Sequence, residues 1–323
     1  MNIAITSNIA LPVEKYGGAE RIIWLLSKEL VELGHEVTIV SSSKIRCNFA
    51  NTLTLDLKSD IRSTLDHFDV VHFNTSHDHQ ISFPHIFRIG GNPAWGELLS
   101  QQSVFVSKNQ ANRYGSDVFI HNGHSNNLSH CASYPRDSFH FLGKAAWRRK
   151  NVKGSILCAN KAKSGKLHVL GGNRLNFNMG FRFTPGFNTK FHGMVNDYYK
   201  LKIMHRSKGL VFPVLWNDPC PNAIIESLFA GCPVFGTPYG SLPELVPSEV
   251  GFLSASSDDL AEAMKNSQQW KPQVCRDYAV ENFNSKKMAL KYVEIYERVL
   301  DGEVLNKEPP QLKEVEPKLL PFT

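Results

Sequence analysis

The chain lacks most of the features that would take it out of an aqueous compartment. No apolar run among its 323 residues approaches the roughly 20 needed to span a bilayer. Met1 leads directly into the strand-like "NIAIT" with no basic region before it, so no signal peptide is expected. There is no Cys-x-x-Cys pair. Six cysteines, Cys47, Cys131, Cys158, Cys220, Cys232 and Cys275, are scattered without the Cys/His spacing of a zinc site, which reads as reduced, packed thiols in a cytoplasmic protein. No short-period repeat is present. The net charge of +6 is a moderate excess that favours an anionic partner, whether phosphate, nucleic acid or an anionic membrane surface. Nucleic acid is not expected, because the basic run "WRRKNVKG" is interleaved with a single tryptophan and no nucleic-acid motif accompanies it.

What remains is an ordinary globular composition on a chain long enough for two cores. The opening "MNIAITSNIALPVEKYGGAERIIWLLSKELVELGHEVTIVSSS" reads as strand, glycine-containing loop, amphipathic helix (Ile22, Ile23, Leu26, Leu30), Gly34 stop and second strand. Short β-rich runs follow at "DVVHF", "SVFVS" and "DVFIH", predicting a parallel sheet with helical crossovers. After "HCASYPRDS" the pattern restarts with "FHFLG", a basic helical stretch, "LHVLGG", "KGLVFP" and "CPVFG". Two Rossmann-like doubly wound α/β domains, 1–136 and 137–300, are therefore expected to face each other across a cleft, with ligands at the carboxyl ends of their strands. The last helix, "SKKMALKYVEIYERVL", can pack back on the first domain, and residues 301–323 read as an extended or disordered tail.

Four features fall at predicted strand ends. Gly17 and Gly18 open the first helix, where backbone N–H groups can approach an anion. Lys144 and Lys150 follow "FHFL" and can neutralise a diphosphate, although a solvated helix start explains many single lysines. Gly171 and Gly172 follow "LHVL" in a similar turn. The stretch "NDPCPNAIIESLFAGCPVFGTPYGSLPEL" places Asp218 ahead of a helix that starts at Pro221 and Glu226 inside its second turn, with Gly231 as the stop. Taken alone, each acid reads as a turn residue or a solvated side chain.

Together these motifs resemble the retaining glycosyltransferases of the GT-B fold, most closely family 4, over nearly the whole chain. The likeness rests on Asp218-x7-Glu226, on the run through Gly231, Pro233, Val234, Gly240, Pro243 and Glu244, on "GGAERIIWLLSKELVELGHEV", and on the turn "HNGHSNN". The resemblance implies that Glu226 bonds the ribose hydroxyls of a nucleotide and that Asp218 lies by the donor sugar. It also implies that the backbone of Cys220, Pro221, Asn222 and Ala223 faces diphosphate and sugar at a helix amino terminus. Lys144 and Lys150 take the positions of the family's basic pair, stabilising the departing diphosphate without a metal. Lys153-Gly154 also fits that pattern, and the spacing favours Lys150. The implied activity is hexosyl transfer with retention from a UDP- or GDP-type sugar to a glycan, lipid-linked sugar or small molecule, as in polysaccharide biosynthesis. No cofactor is implied, and a peripheral contact with the inner membrane face is compatible.

Two departures stand out. Asp218 is one methylene shorter than the family's usual glutamate. In "FRIGGNPAW", Gly90 stands where the family often has a histidine that contacts donor sugar or phosphate, and Arg88 and Asn92 are the nearby polar candidates to compensate. A metal at His77, Asp78 and His79 is not expected, since neighbours on an extended segment point opposite ways and no third ligand is evident. The competing functions are a catalytically silent sugar-nucleotide binding protein, and a nucleotide-sugar epimerase or a phosphorylase of the same fold.

Overall fold

β1 (Asn2–Ser7), α1 (Gly18–Glu32) and β2 (Glu36–Ser41) form the βαβ start that the apolar spacing predicts. The structure, a computed structural model, describes residues 1–13, 17–56, 61–74, 81–125, 134–177, 181–184, 186 and 188–323. Ile22, Ile23, Leu26 and Leu30 bury one stripe of α1, and Gly34, at φ +89°, takes the left-handed turn that releases the chain into β2. The remaining elements of this sheet are β3 (Asn51–Thr54), α2 (Arg62–Leu65), β4 (Val70–Phe73), β5 (His85–Ile89), β6 (Ser103–Phe105) and α3 (Lys108–Arg113). Every strand pairs in parallel, in the order β3-β2-β1-β4-β5-β6.

A parallel sheet must be covered on both faces. Ile3, Ile5, Val37 and Ile39 pack on one face with the α1 stripe, while Ala4, Val40, Val71, Phe73 and Phe87 pack on the other with Ile61, Leu65 and Phe68. "DVFIH" was expected as a further strand. It makes only a single bridge, Phe119 to Phe105, because β6 ends after three residues where Ser107 turns to cap α3.

The second sheet uses β7 (Ser138–Leu142), α4 (Val152–Ala162), β8 (Lys166–Leu170) and β11 (Thr189–Phe191), while β9 (Leu175–Asn176) and β10 (Arg182–Phe183) pair antiparallel in a separate two-stranded sheet. The second sheet continues through α5 (Asp197–Met204), β12 (Ser207–Phe212), α6 (Asn222–Phe229), β13 (Val234–Gly236), α7 (Leu242–Leu245), β14 (Gly251–Leu253), α8 (Ser257–Lys265) and α9 (Pro272–Phe283). Its order is β11-β8-β7-β12-β13-β14, again parallel throughout. Counted by sequence within each sheet, both read 3-2-1-4-5-6, the doubly wound order whose switch point lies beside the first strand.

Two compact units result. The first takes Met1–Val13, Gly17–Ser125 and Phe283–Val315, and the second takes Asn126–Asn282 and Glu316–Thr323. This differs from the division drawn on the sequence at 136 and 300. Helix α10 (Ser285–Leu300) belongs to the first unit, where Met288, Tyr292, Ile295, Tyr296 and Val299 join the core of α1 and its sheet. Residues 301–323 carry no helix or strand, yet they are pinned. Asn306 Nδ2 donates to the carbonyls of Gln101 and Ser103, Leu320 N to Leu215 O and Thr323 N to Ala255 O.

Candidate active site

In the second unit the switch point lies between β7 and β12, and the chain leaving each strand brings its chemistry to that edge. After β7 comes Gly143-Lys144, then a turn of 3-10 helix, Arg148–Lys150. After β12 come Pro213 to Trp216 and then Asp218. Lys150 Nζ donates to Asp218 Oδ2 at 2.5 Å, and the Trp216 indole N–H donates to the same oxygen at 3.1 Å. Asp218 Oδ1 has no bonding partner among the described residues. Lys150 also lies 5.1 Å from the Phe212 ring centroid and 5.6 Å from that of Trp216, with Arg149 stacked 4.5 Å over Trp216. An ammonium offers three donors, so the bond to Asp218 leaves Lys150 two more.

The loop that carries this lysine is fixed from behind. Asn151, at φ 54°, caps α4 through its Oδ1 to Gly154 N while its Nδ2 donates to Pro213 O, and Leu215 N donates to Arg149 O. Asp218 is fixed as firmly. Its carbonyl accepts from Ser241 N and Ser241 Oγ, both at 3.0 Å. Gly240 sits at φ +59°, and a Cβ there would collide with the Asp218 amide nitrogen and stand 2.6 Å from its carbonyl oxygen. That contact accounts for the glycine in "PYGS". Lys153, by contrast, is exposed on α4, and Lys144 is half-buried with its Nζ 5.4 Å from the Trp147 ring centroid.

Glu226 stands in the second turn of α6 and is buried. Its Oε2 accepts from Lys200 Nζ at 2.5 Å, and Lys200 also pairs with Asp197 Oδ1 at 2.9 Å. Pro221 occupies the cap position of α6 rather than its first turn, one residue earlier than predicted, and no side chain caps this amino terminus. Cys220, Pro221, Asn222 and Ala223 therefore form the lead-in between the two acids, with the positive end of the helix dipole there.

Gly171 and Gly172 are needed for packing. A Cβ on Gly171 would collide with Gly143 O, and one on Gly172 would lie 2.7 Å from Ala145 Cβ. Gly143 N and Ala145 N in turn donate to Leu170 O and Gly171 O. These glycines press the loops after β7 and β8 together, which positions Lys144. Gly17 and Gly18 lie in the first unit at the start of α1, where a Cβ on Gly17 would meet Val13 and Glu20. His77, Asp78, His79 and Cys131 lie outside the described residues.

Sequence reasoning missed Lys200, Trp216 and Arg149. A usable signal was present. From Ser138 to Asn196 there are seven lysines, four arginines and no aspartate or glutamate, so Asp218 and Glu226 meet cations from a stretch without local anions to hold them, or from the helix just after it.

Comparison with known proteins decides what this arrangement belongs to. Residues 136–268 match the family described as glycosyl transferases group 1. The second unit carries a glycosyltransferase domain. Solved structures of similar fold include AviGT4, a glycosyltransferase involved in avilamycin A biosynthesis, at 19% identity and a TM-score of 0.73 over 94% of this chain and 98% of that one. Sucrose-phosphate synthase from Thermosynechococcus elongatus gives 16% and 0.71 over 94% and 100%, and Anabaena HepE in complex with UDP and glucose gives 13% and 0.65 over 91% and 98%. At such identities these likenesses establish the fold, which is GT-B. No curated protein matches the sequence. With its group 1 domain on this fold, the chain is a glycosyltransferase.

Proposed function

We propose that the protein transfers a hexose, with retention of configuration, from a nucleoside diphosphate sugar held by the second unit to an acceptor taken by the first. The observation that carries this reading is the 2.5 Å pair of Lys150 and Asp218 at the β7/β12 switch point. Lys150, with Lys144 beside Trp147, supplies positive charge for a diphosphate whose charge grows as the glycosidic bond breaks. Asp218, held by Lys150 and Trp216 through one oxygen, has the other to accept from a sugar hydroxyl. Glu226 accepts from the ribose hydroxyls while Lys200, itself paired with Asp197, holds it in place. The diphosphate meets the amino terminus of α6. In this reading the two lysines do the work of leaving-group stabilisation, and no metal is required.

HepE was solved with UDP and glucose, and starch synthase IV from Arabidopsis thaliana with ADP and acarbose, which supports a nucleotide donor without selecting the base. Screening UDP-, GDP-, ADP- and TDP-sugars for thermal stabilisation identifies the donor, since a ligand of the folded state raises its stability by mass action. Proton NMR of the product then tests retention. An anomeric configuration opposite to that of the donor sugar rejects this mechanism, and nucleotide binding without turnover across the screen favours a silent sugar-nucleotide binding protein.

A further inference from the structure

Arg88, near the carboxyl end of β5, is 5% exposed, among the most buried charged side chains of the first unit. Its Nη2 donates to Asn122 Oδ1 at 2.6 Å, its Nε has no partner, and no carboxylate pairs with it among the described residues. His72 on the neighbouring strand β4 is fully buried as well. Its Nδ1 bonds the Tyr296 hydroxyl at 2.7 Å and its Nε2 has no partner among the described residues. Burial, and then the Arg88 charge, hold His72 at a pKa of about 3, so the imidazole is neutral and offers no counter-charge. A desolvated guanidinium facing one amide oxygen is unfavourable on its own and is retained where something else repays it.

The geometry indicates where that something enters. Gly90 and Gly91, both exposed, follow Arg88 at the carboxyl edge of a doubly wound sheet, where such sheets take their ligands. A Cβ on Gly90 would stand 2.7 Å from Arg88 Nη1, so the guanidinium lies directly beneath a residue that has no side chain to cover it. The planar fork of arginine matches a carboxylate or a phosphate through two parallel bonds. We propose that Arg88 binds the oxyanion of an acidic acceptor, a sugar carboxylate or phosphate, and thereby selects acceptors that carry negative charge. The inference rests on the first unit taking the acceptor.

The test uses the full chain, wild type and Arg88→Met, in thermal unfolding with glucuronate, glucose 6-phosphate or glucose, each with and without a stabilising nucleotide. Glucuronate or glucose 6-phosphate should raise the wild-type Tm in a dose-dependent way and glucose should not; the responding acid tells carboxylate from phosphate. In Arg88→Met the acid response should disappear, the nucleotide response should persist, and the ligand-free Tm should stay the same or rise, since an uncompensated charge has been removed. Should that variant fail to fold, Arg88→Lys keeps the charge but not the fork and should weaken the acid response about tenfold. No response of wild type to either acid, or equal responses in the variants, overturns the inference. Absence of any nucleotide response is a separate result that counts against the donor reading.

Discussion

Lys200 on α5 donates to Glu226 on α6 at 2.5 Å, with each side chain 7% exposed. The pair holds the carboxylate assigned to the ribose in a single position. Lys200→Met should remove the cation paired with a buried carboxylate and cost about 3–5 kcal/mol of stability. Glu226→Gln should cost less, because Lys200 keeps Asp197 as a partner at 2.9 Å. It should weaken nucleotide binding by about 1.5–3 kcal/mol, the range for a hydrogen bond to a charged group. Denaturant unfolding and isothermal titration separate the two effects, and full nucleotide affinity in Glu226→Gln removes this residue from the site.

The lysines divide by position. Lys144→Ala and Lys150→Ala should lower kcat more than they raise the donor KM, because leaving-group charge develops only in the transition state. Lys153 points to solvent from α4, and Lys153→Ala should leave both constants close to wild type. Steady-state kinetics over a donor series checks this, and a Lys153 variant as damaged as Lys150 would reassign the basic pair.

Gly90 sits against a buried charge. A histidine there would have its Cβ 2.7 Å from Arg88 Nη1 and must displace the guanidinium from Asn122. Gly90→His should therefore abolish transfer to the true acceptor while leaving nucleotide binding, assigned above to the other unit, unchanged. Comparison of transfer rate with nucleotide affinity reads this directly; normal transfer by the variant would show that the space at Gly90 is unimportant.

His140 lies fully buried on β7, with Nδ1 at 2.7 Å from Ser207 Oγ and Nε2 at 2.9 Å from Ser227 Oγ. Burial, reinforced by Arg136, depresses its pKa to about 3 against an ordinary 6.5. The unfolded chain takes up this proton below pH 6.5 and the folded chain does not, so the stabilisation is complete above 6.5 and is lost as pH falls toward 3. Its slope is about 1.4 kcal/mol per pH unit. His140→Gln, whose amide can serve both hydroxyls, should flatten the fall in unfolding free energy between pH 6.5 and 5 by about that slope. An unchanged pH dependence would contradict the assignment.

Much of this was legible because parallel sheets write their rules into the chain. The apolar runs of β1, β4, β7, β8 and β12, the helix stripe of α1 and the stop at Gly34 are local patterns, and each gave the element that formed. β11 and β14 are three residues long, too short for periodicity to register, and "DVFIH" has strand composition but no partner of sufficient length. The placement of Asp218 before a helix and Glu226 within it followed from Pro221 and the apolar spacing. Their partners did not. Lys150 and Lys200 reach their carboxylates across 68 and 26 residues, a relation that sheet order creates and no local pattern encodes. Gly171 and Gly172 read as a strand-to-glycine turn, and that their close approach makes room for Gly143 and Ala145 appears only in the fold. The share of α10 in the first core was readable only as one option, because its stripe of Met288, Tyr292 and Tyr296 fits either unit.

The central claim is that sugar transfer depends on the Asp218 carboxylate held by Lys150 and Trp216. The most direct measurement is the rate of nucleoside diphosphate release, at saturating donor and acceptor, by wild type and Asp218→Asn, with donor affinity measured on the same preparations. Asparagine preserves the shape and the backbone bonds to Ser241 but removes the charge. The account predicts a fall in kcat of about 10²-fold or more with donor affinity little changed. Turnover within about threefold of wild type would contradict it, since an effect under 1 kcal/mol leaves no transition-state role for that carboxylate.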